Sequence, residues 1–208
     1  MKWLAAIVST ILIGAVAAPA VHATEITTYG PGLQSCTSYA HAREQLDGDE
    51  VPFIDWLAGY LSGVNVTSKH RNNILGLSDV RGTMYWLDGY CRKRPSAHFA
   101  EATGVFLMAA NSLSGAHSVE VTAYGSGFKS CAVYLEGREQ RNEDATAFID
   151  WLGGYLSGVN AMSNDTQDIL GRATLADAVY WLDNYCSSHQ PTPFSDAVDA
   201  LVAAHRSR

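Results

Sequence analysis

The chain has 208 residues, 47% hydrophobic and 17% charged, with 14 basic against 21 acidic side chains and a formal charge of −7. That balance leaves no basic patch able to displace counterions from phosphates, which excludes nucleic acid as a partner. The length suits two small domains.

Residues 1–23 read as a signal peptide. Lys2 precedes an uncharged run from Trp3 to Ala18, and Val21-His22-Ala23 gives the small-x-small pattern of a cleavage site before Thr24. The alternative is a retained anchor, but a run of about 16 apolar residues is short for a spanning helix, and Pro19 interrupts the stretch beyond it. Cleavage removes Lys2 and leaves 13 basic against 21 acidic residues, a charge of −8. No later segment is long and apolar enough to span a bilayer, so the expectation is a soluble periplasmic or secreted protein.

Residues 24–110 form a first unit with four expected helices. The first runs from Leu33 to about Gln45 and carries Cys36. The second, about Pro52 to Thr67, sets Phe53, Leu57, Tyr60, Leu61 and Val64 on one stripe, with Asp55 and Ser62 pointing away. Gly59 and Gly63 form a separate flank whose GxxxG spacing predicts close helix packing. After a turn containing Gly76, the third helix runs from about Asp79 to Arg92 with Val80, Met84, Leu87 and Cys91 on its stripe, and Pro95 ends it. The fourth starts near Ser96 and buries Phe99, Ala102, Phe106 and Ala109.

Residues 111–118 (NSLSGAHS) have the composition of a linker. Residues 119–208 then repeat the first unit at an offset of 95: Phe53-Ile54-Asp55-Trp56-Leu57 returns as Phe148-Ile149-Asp150-Trp151-Leu152, and Tyr85-Trp86-Leu87-Asp88 as Tyr180-Trp181-Leu182-Asp183. Roughly half of the positions from Tyr29 to Cys91 are identical to their counterparts, far above chance at a fixed period. In the second copy Thr174 and Asp177 have the spacing of a capping box, and Thr192-Pro193 that of a helix start. Ile26-Thr27-Thr28 and Val119-Glu120-Val121-Thr122 are β-prone and candidates to pair with each other.

The four cysteines fall into two pairs, Cys36 with Cys91 and Cys131 with Cys186, each 55 residues apart. In an exported chain this reads as one disulfide per unit; pairing between units would make the equal spacing a coincidence. Zinc fits poorly, since there is no CxxC and no histidine recurs at matching repeat positions. The expected fold is all-α: two tandem four-helix units, each stapled by one disulfide.

The chemistry-bearing residues form no catalytic constellation. Asp55 and Asp150 sit on separate units and read as exposed helix carboxylates, as do Asp88 and Asp183. Ser62 and Ser157 lie in no GxSxG motif, the histidines are scattered, and no phosphate-binding glycine loop is present. The expectation is a non-enzymatic protein with no metal and no organic cofactor. The aromatic and apolar residues Trp56, Tyr60, Leu61 and Trp86, with Trp151, Tyr155, Leu156 and Trp181, are the candidate protein-binding set, either as a second buried layer or as a surface that grips a partner.

With the cysteine pair, Trp56-Leu57-Ala58-Gly59-Tyr60, Cys91 and Pro95 in view, the unit resembles the HdeA/HdeB-type periplasmic acid-stress chaperones. The second copy matches through Cys131, Trp151-Leu152-Gly153-Gly154-Tyr155, Cys186 and Pro191. The Gly-Tyr-x-x-Gly helix between cysteines is also similar to the Rap1a/Tai immunity proteins, periplasmic helical inhibitors of secreted peptidoglycan amidases. The first resemblance implies binding of unfolding clients in acid, the second a fixed surface that plugs one toxin. Family members resemble single units that associate, so this fused chain implies an internal pseudo-dimer. Protonating 21 carboxylates and six histidines would swing the mature charge from −8 to about +19, which loosens compact states. An envelope enzyme acting on glycans is the third class, and a cleft holding Asp55 or Asp150 opposite a second carboxylate would favour it.

Overall fold

A computed structural model describes residues 26–45, 48–68, 73–75, 79–111, 123–164 and 167–206. The signal segment 1–23, residues 112–118 of the linker, the second β-prone segment and Gly76 lie outside them. Each half contributes four helices: α1 (Cys36–Gln45), α2 (Val51–Thr67), α3 (Val80–Lys93) and α4 (Phe99–Asn111), then α5 (Cys131–Gln140), α6 (Glu143–Met162), α7 (Leu175–Ser188) and α8 (Phe194–Arg206). Leu33 and Phe128, expected in the case of Leu33 to open the first helix, instead close short 3-10 turns (Gly30–Leu33 and Gly125–Phe128). Gly30 and Gly125 open those turns at φ of 63° and 57°, which an L side chain adopts at a cost.

Local chemistry accounts for the helix starts. Asp79 caps α3 by accepting Gly82 N–H at 2.7 Å, and Asn142 caps α6 through Ala145 N–H. The Thr174–Asp177 capping box forms as expected at α7. No strand occurs among the described residues; the only sheet-like contacts there are the isolated bridges Ser35–His98 and Ser130–Pro193.

The disulfides pair as expected, Cys36 with Cys91 and Cys131 with Cys186, at Cα separations of 4.9 and 5.0 Å. Each joins the start of the first helix of its half to the end of the third, and both fit export to an oxidising compartment. Beside each bond lies a polar clamp. Tyr39 Oη donates to Asp88 at 2.6 Å, and Arg43 donates to both oxygens of Asp88 at 3.1 Å. Tyr134, Arg138 and Asp183 repeat the arrangement at 2.6, 3.1 and 3.0 Å. Asp88 and Asp183 are therefore half-buried structural acids and not the solvated carboxylates expected, because a tyrosine and an arginine from the neighbouring helix reach over them.

Each half has its own core. Tyr39, Phe53 and Phe99 meet edge-on or tilted at 4.8–5.4 Å, and Tyr134, Phe148 and Phe194 do the same at 4.7–5.4 Å. Between the cores run α2 and α6. Every residue from Trp56 to Asn65 and from Trp151 to Asn160 is buried. α2 and α6 are buried on all sides by the protein itself, and among the described residues no helix is long and apolar enough to cross a membrane.

Candidate functional site

The junction of α2 with α6 is built on glycine. A Cβ on Gly59 would overlap the carbonyl oxygen of Trp151 and lie 2.9 Å from Tyr155 N, and one on Gly63 would overlap the Tyr155 carbonyl oxygen and lie 3.1 Å from Val159 N. Gly154 and Gly158 meet the carbonyls of Trp56 and Tyr60 in the same way. Backbone touches backbone, which only glycine permits. Partner numbers rise together along both helices, so α2 and α6 run parallel, with Gly59 level with Gly154 and Gly63 level with Gly158. The pseudo-two-fold axis therefore lies along the helix pair.

The segments before each 3-10 turn cross to the opposite half. Thr27 N–H donates to Gln167 O at 3.0 Å, Asn160 Nδ2 donates to Thr27 O at 2.9 Å, and Tyr29 N–H donates to Ser157 Oγ at 2.9 Å. Tyr29 Oη reaches Asp168. In return, Tyr124 N–H donates to Ser62 Oγ at 2.9 Å and Tyr124 Oη reaches Asn73. Each arm is also held by its own half, since Trp56 Nε1 donates to Tyr29 O and Trp151 Nε1 to Tyr124 O, both at 2.7 Å. Thr27 thus pairs with the far half, while residues 119–122, its expected partners, lie outside the described residues.

Ser62, expected to point away from the apolar stripe, is fully buried because it is the acceptor for the other half's arm. Asn65 and Asn160 serve the same exchange, and their carbonyl oxygens also take the N–H of Ile74 and Ile169 at 2.9 and 2.8 Å. The signal was present in the sequence: a serine and an asparagine stand at the same two places in each apolar helix. Asn65 is 3% exposed and Asn160 1%, so both amides are committed to the interior.

Asp55 and Asp150 differ most from expectation. Each lies four residues before the first junction glycine, so Asp55, Gly59 and Gly63 share one stripe, as do Asp150, Gly154 and Gly158. The parallel register sets the two aspartates at the same level across the seam, half-buried and not on solvent faces. Neither makes a hydrogen bond or ion pair among the described residues. Burial pushes Asp55 up to about 6, with Lys129 drawing it back and Asp144 adding to the rise. Burial likewise pushes Asp150 to about 6, and the charge of Asp55 contributes. Lys129 itself is held by Asp144 at 2.8 Å.

The candidate protein-binding residues separate into two groups. Trp56, Tyr60, Leu61, Trp151, Tyr155 and Leu156 are inside the cores and the seam, the buried layer of the two readings. Trp86 and Trp181 are half-buried on α3 and α7, where Trp86 stacks on Tyr90 at 5.5 Å and Trp181 on Tyr185 at 5.1 Å. Arg94 sits 4.7 Å over Tyr90, and His189, its repeat counterpart, stacks 4.1 Å from Tyr185. The neighbouring Tyr85 and Tyr180 are 78% and 71% exposed, a matched pair that lies off the apolar stripes and so went unmarked by them.

A cavity of about 940 Å³ opens at the C-terminal ends of α2 and α6, lined among others by Val66, Met162, Arg172, His205 and Arg206. A smaller one of about 440 Å³ lies beside Tyr180, Trp181 and Tyr185. Asp55 and Asp150 line neither. No cluster of metal-ligating side chains occurs among the described residues. No family model, curated protein or solved structure matches the chain.

Proposed function

We propose that this chain is an exported, periplasmic, non-enzymatic protein-binding protein that works as a closed two-unit body, the mode implied by its resemblance to the Rap1a/Tai immunity proteins. The supporting observation is the α2–α6 seam, where four glycines bring backbone against backbone and both arms cross over. A seam built this way suits a fixed shape. The surface offered to a partner is then α3 and α7, each presenting an exposed tyrosine beside a half-buried tryptophan, the residue types that dominate protein contacts.

The acid-chaperone reading of the HdeA/HdeB resemblance keeps one observation in its favour. Apolar packing crosses between the halves, with Ala58 and Tyr29 set into or against the second core and Tyr124 and Ala161 against the first, and would serve clients if the halves parted.

The two modes separate by experiment. A closed body neither binds a hydrophobic dye nor suppresses aggregation of an unrelated protein at pH 2–3 or pH 7. Protection with dye binding in acid alone would establish the chaperone mode instead. For the closed mode, an amidase encoded beside this chain's gene is expected to bind in calorimetry at neutral pH. The Tyr85→Ala, Tyr180→Ala double variant is expected to weaken that binding at least tenfold.

A further inference from the structure

We propose that Asp55 and Asp150 form a proton latch in the α2–α6 seam, which closes fully when the facing carboxyls hold protons and loosens when both are charged. The inference rests on the seam and not on the identity of any partner.

The register sets the two groups level with one another on the stripes that meet at the seam, and the charge of Asp55 bears on Asp150. They extend the glycine stripes by one turn toward the helix N-termini, and the glycines hold the helices at backbone contact on that same face. Both carboxylates are half-buried where the two helices approach closely. Neither has a donor among the described residues, although the protein supplies donors to Asp88, Asp183 and Asp144. Two negative charges in a partly desolvated seam repel, and a proton on either removes the repulsion.

The surrounding charges do not cancel the effect. Lys129, just before α5, bears on Asp55 but is committed to Asp144 on α6. Gln34 occupies the position of Lys129 in the first half, so no cation stands at the matching place for Asp150. The 3-10 turns against the seam, Gly30–Leu33 and Gly125–Phe128, carry no ionisable side chain. Glu50 and Glu143, at the starts of α2 and α6, add only negative charge. On α3, packed against α2, the nearest acid to the disulfide, Asp88, is neutralised by Arg43, and Arg138 neutralises Asp183 on α7.

The direction of the response follows from the burial. Folding takes each carboxyl from about 4 in an open chain to about 6, so between those limits the folded form holds more protons than the unfolded one. The latch therefore contributes fully below about pH 4 and is lost as pH rises through about 6. The two protons leave in separate steps that belong to the pair. A seam tightened by mild acid runs opposite to opening on acidification.

The test is urea unfolding of the mature protein at pH 4.5, 6.0 and 7.5, wild type against Asp55→Asn, Asp150→Asn and the double variant. Wild type is expected to lose stability over this range, by about tenfold in the unfolding constant per carboxyl once solvent screening of half-buried groups is allowed for. The double variant is expected to lack that loss and to exceed wild type at pH 7.5. An unchanged pH dependence in the double variant overturns the proposal. Should that variant fail to fold, carboxyl carbon resonances of wild type decide: midpoints near 6 for Asp55 and Asp150 support the latch, and midpoints near 4 for both overturn it.

Discussion

A glycine's worth depends on what a methyl group would meet. Gly59 and Gly154 face main-chain carbonyls that cannot retreat without separating α2 from α6, whereas a Cβ on Gly89 or Gly104 meets nothing within 4 Å. Gly59→Ala or Gly154→Ala is expected to cost about 3 kcal/mol or more, and Gly89→Ala to gain about 0.5 kcal/mol from helix propensity. Urea midpoints of the three variants check both signs. The GxxxG spacing revealed close packing, but not what packed there. The stripe count failed for Asp55 and Ser62 because it assumed one apolar face, and α2 is buried on all sides over ten residues, Trp56 to Asn65. Where glycine forms a second contact face, the polar residues on its stripe go inside with it.

Among the elements, local signals were the most legible. The capping box at Thr174, the helix spans and both disulfides followed from residue types at fixed spacing. The 3-10 turn of the first half was missed because Leu33 read as the apolar start of a helix, while Gly30 before it demands a turn with positive φ. Each disulfide closes a loop 55 residues long within its own half, worth about 4 kcal/mol by loop entropy. Reduction is expected to lower stability by roughly that amount per bond, measured by urea unfolding with and without reductant. Replacing Cys36 and Cys91 by serine is expected to weaken the first half before the second, with hydrogen exchange reporting which helices open. The Arg43–Asp88 clamp beside that bond is partly solvent-exposed, so Arg43→Ala is expected to cost only about 1 kcal/mol.

At the scale of the molecule the halves are joined three ways, by the linker, by the α2–α6 seam and by the exchanged arms. Neither disulfide crosses between them. A protease site placed within residues 112–118 and cut after folding is expected to leave one particle on size exclusion. The same cut chain is expected to fall into two pieces in non-reducing denaturant. Separation in native buffer would show that the linker, and not the seam, keeps the halves together. The sequence could announce the repeat, and hence two like bodies, because identity at a fixed offset is visible in one dimension. The arm exchange was not legible, since no local periodicity records that Tyr29 belongs against Ser157.

That exchange also orders events in time. A chain is made from its N-terminus, and Thr27 and Tyr29 emerge long before residues 157, 160, 167 and 168, on which they rest. The first half therefore waits with one side of α2 uncovered and its arm unplaced until α6 and the loop after it exist. Contacts that far apart in sequence form slowly and leave apolar surface open meanwhile. The earliest of the described segments is among the last to find its seat, and a chain interrupted at the linker is a target for quality control, not a working half.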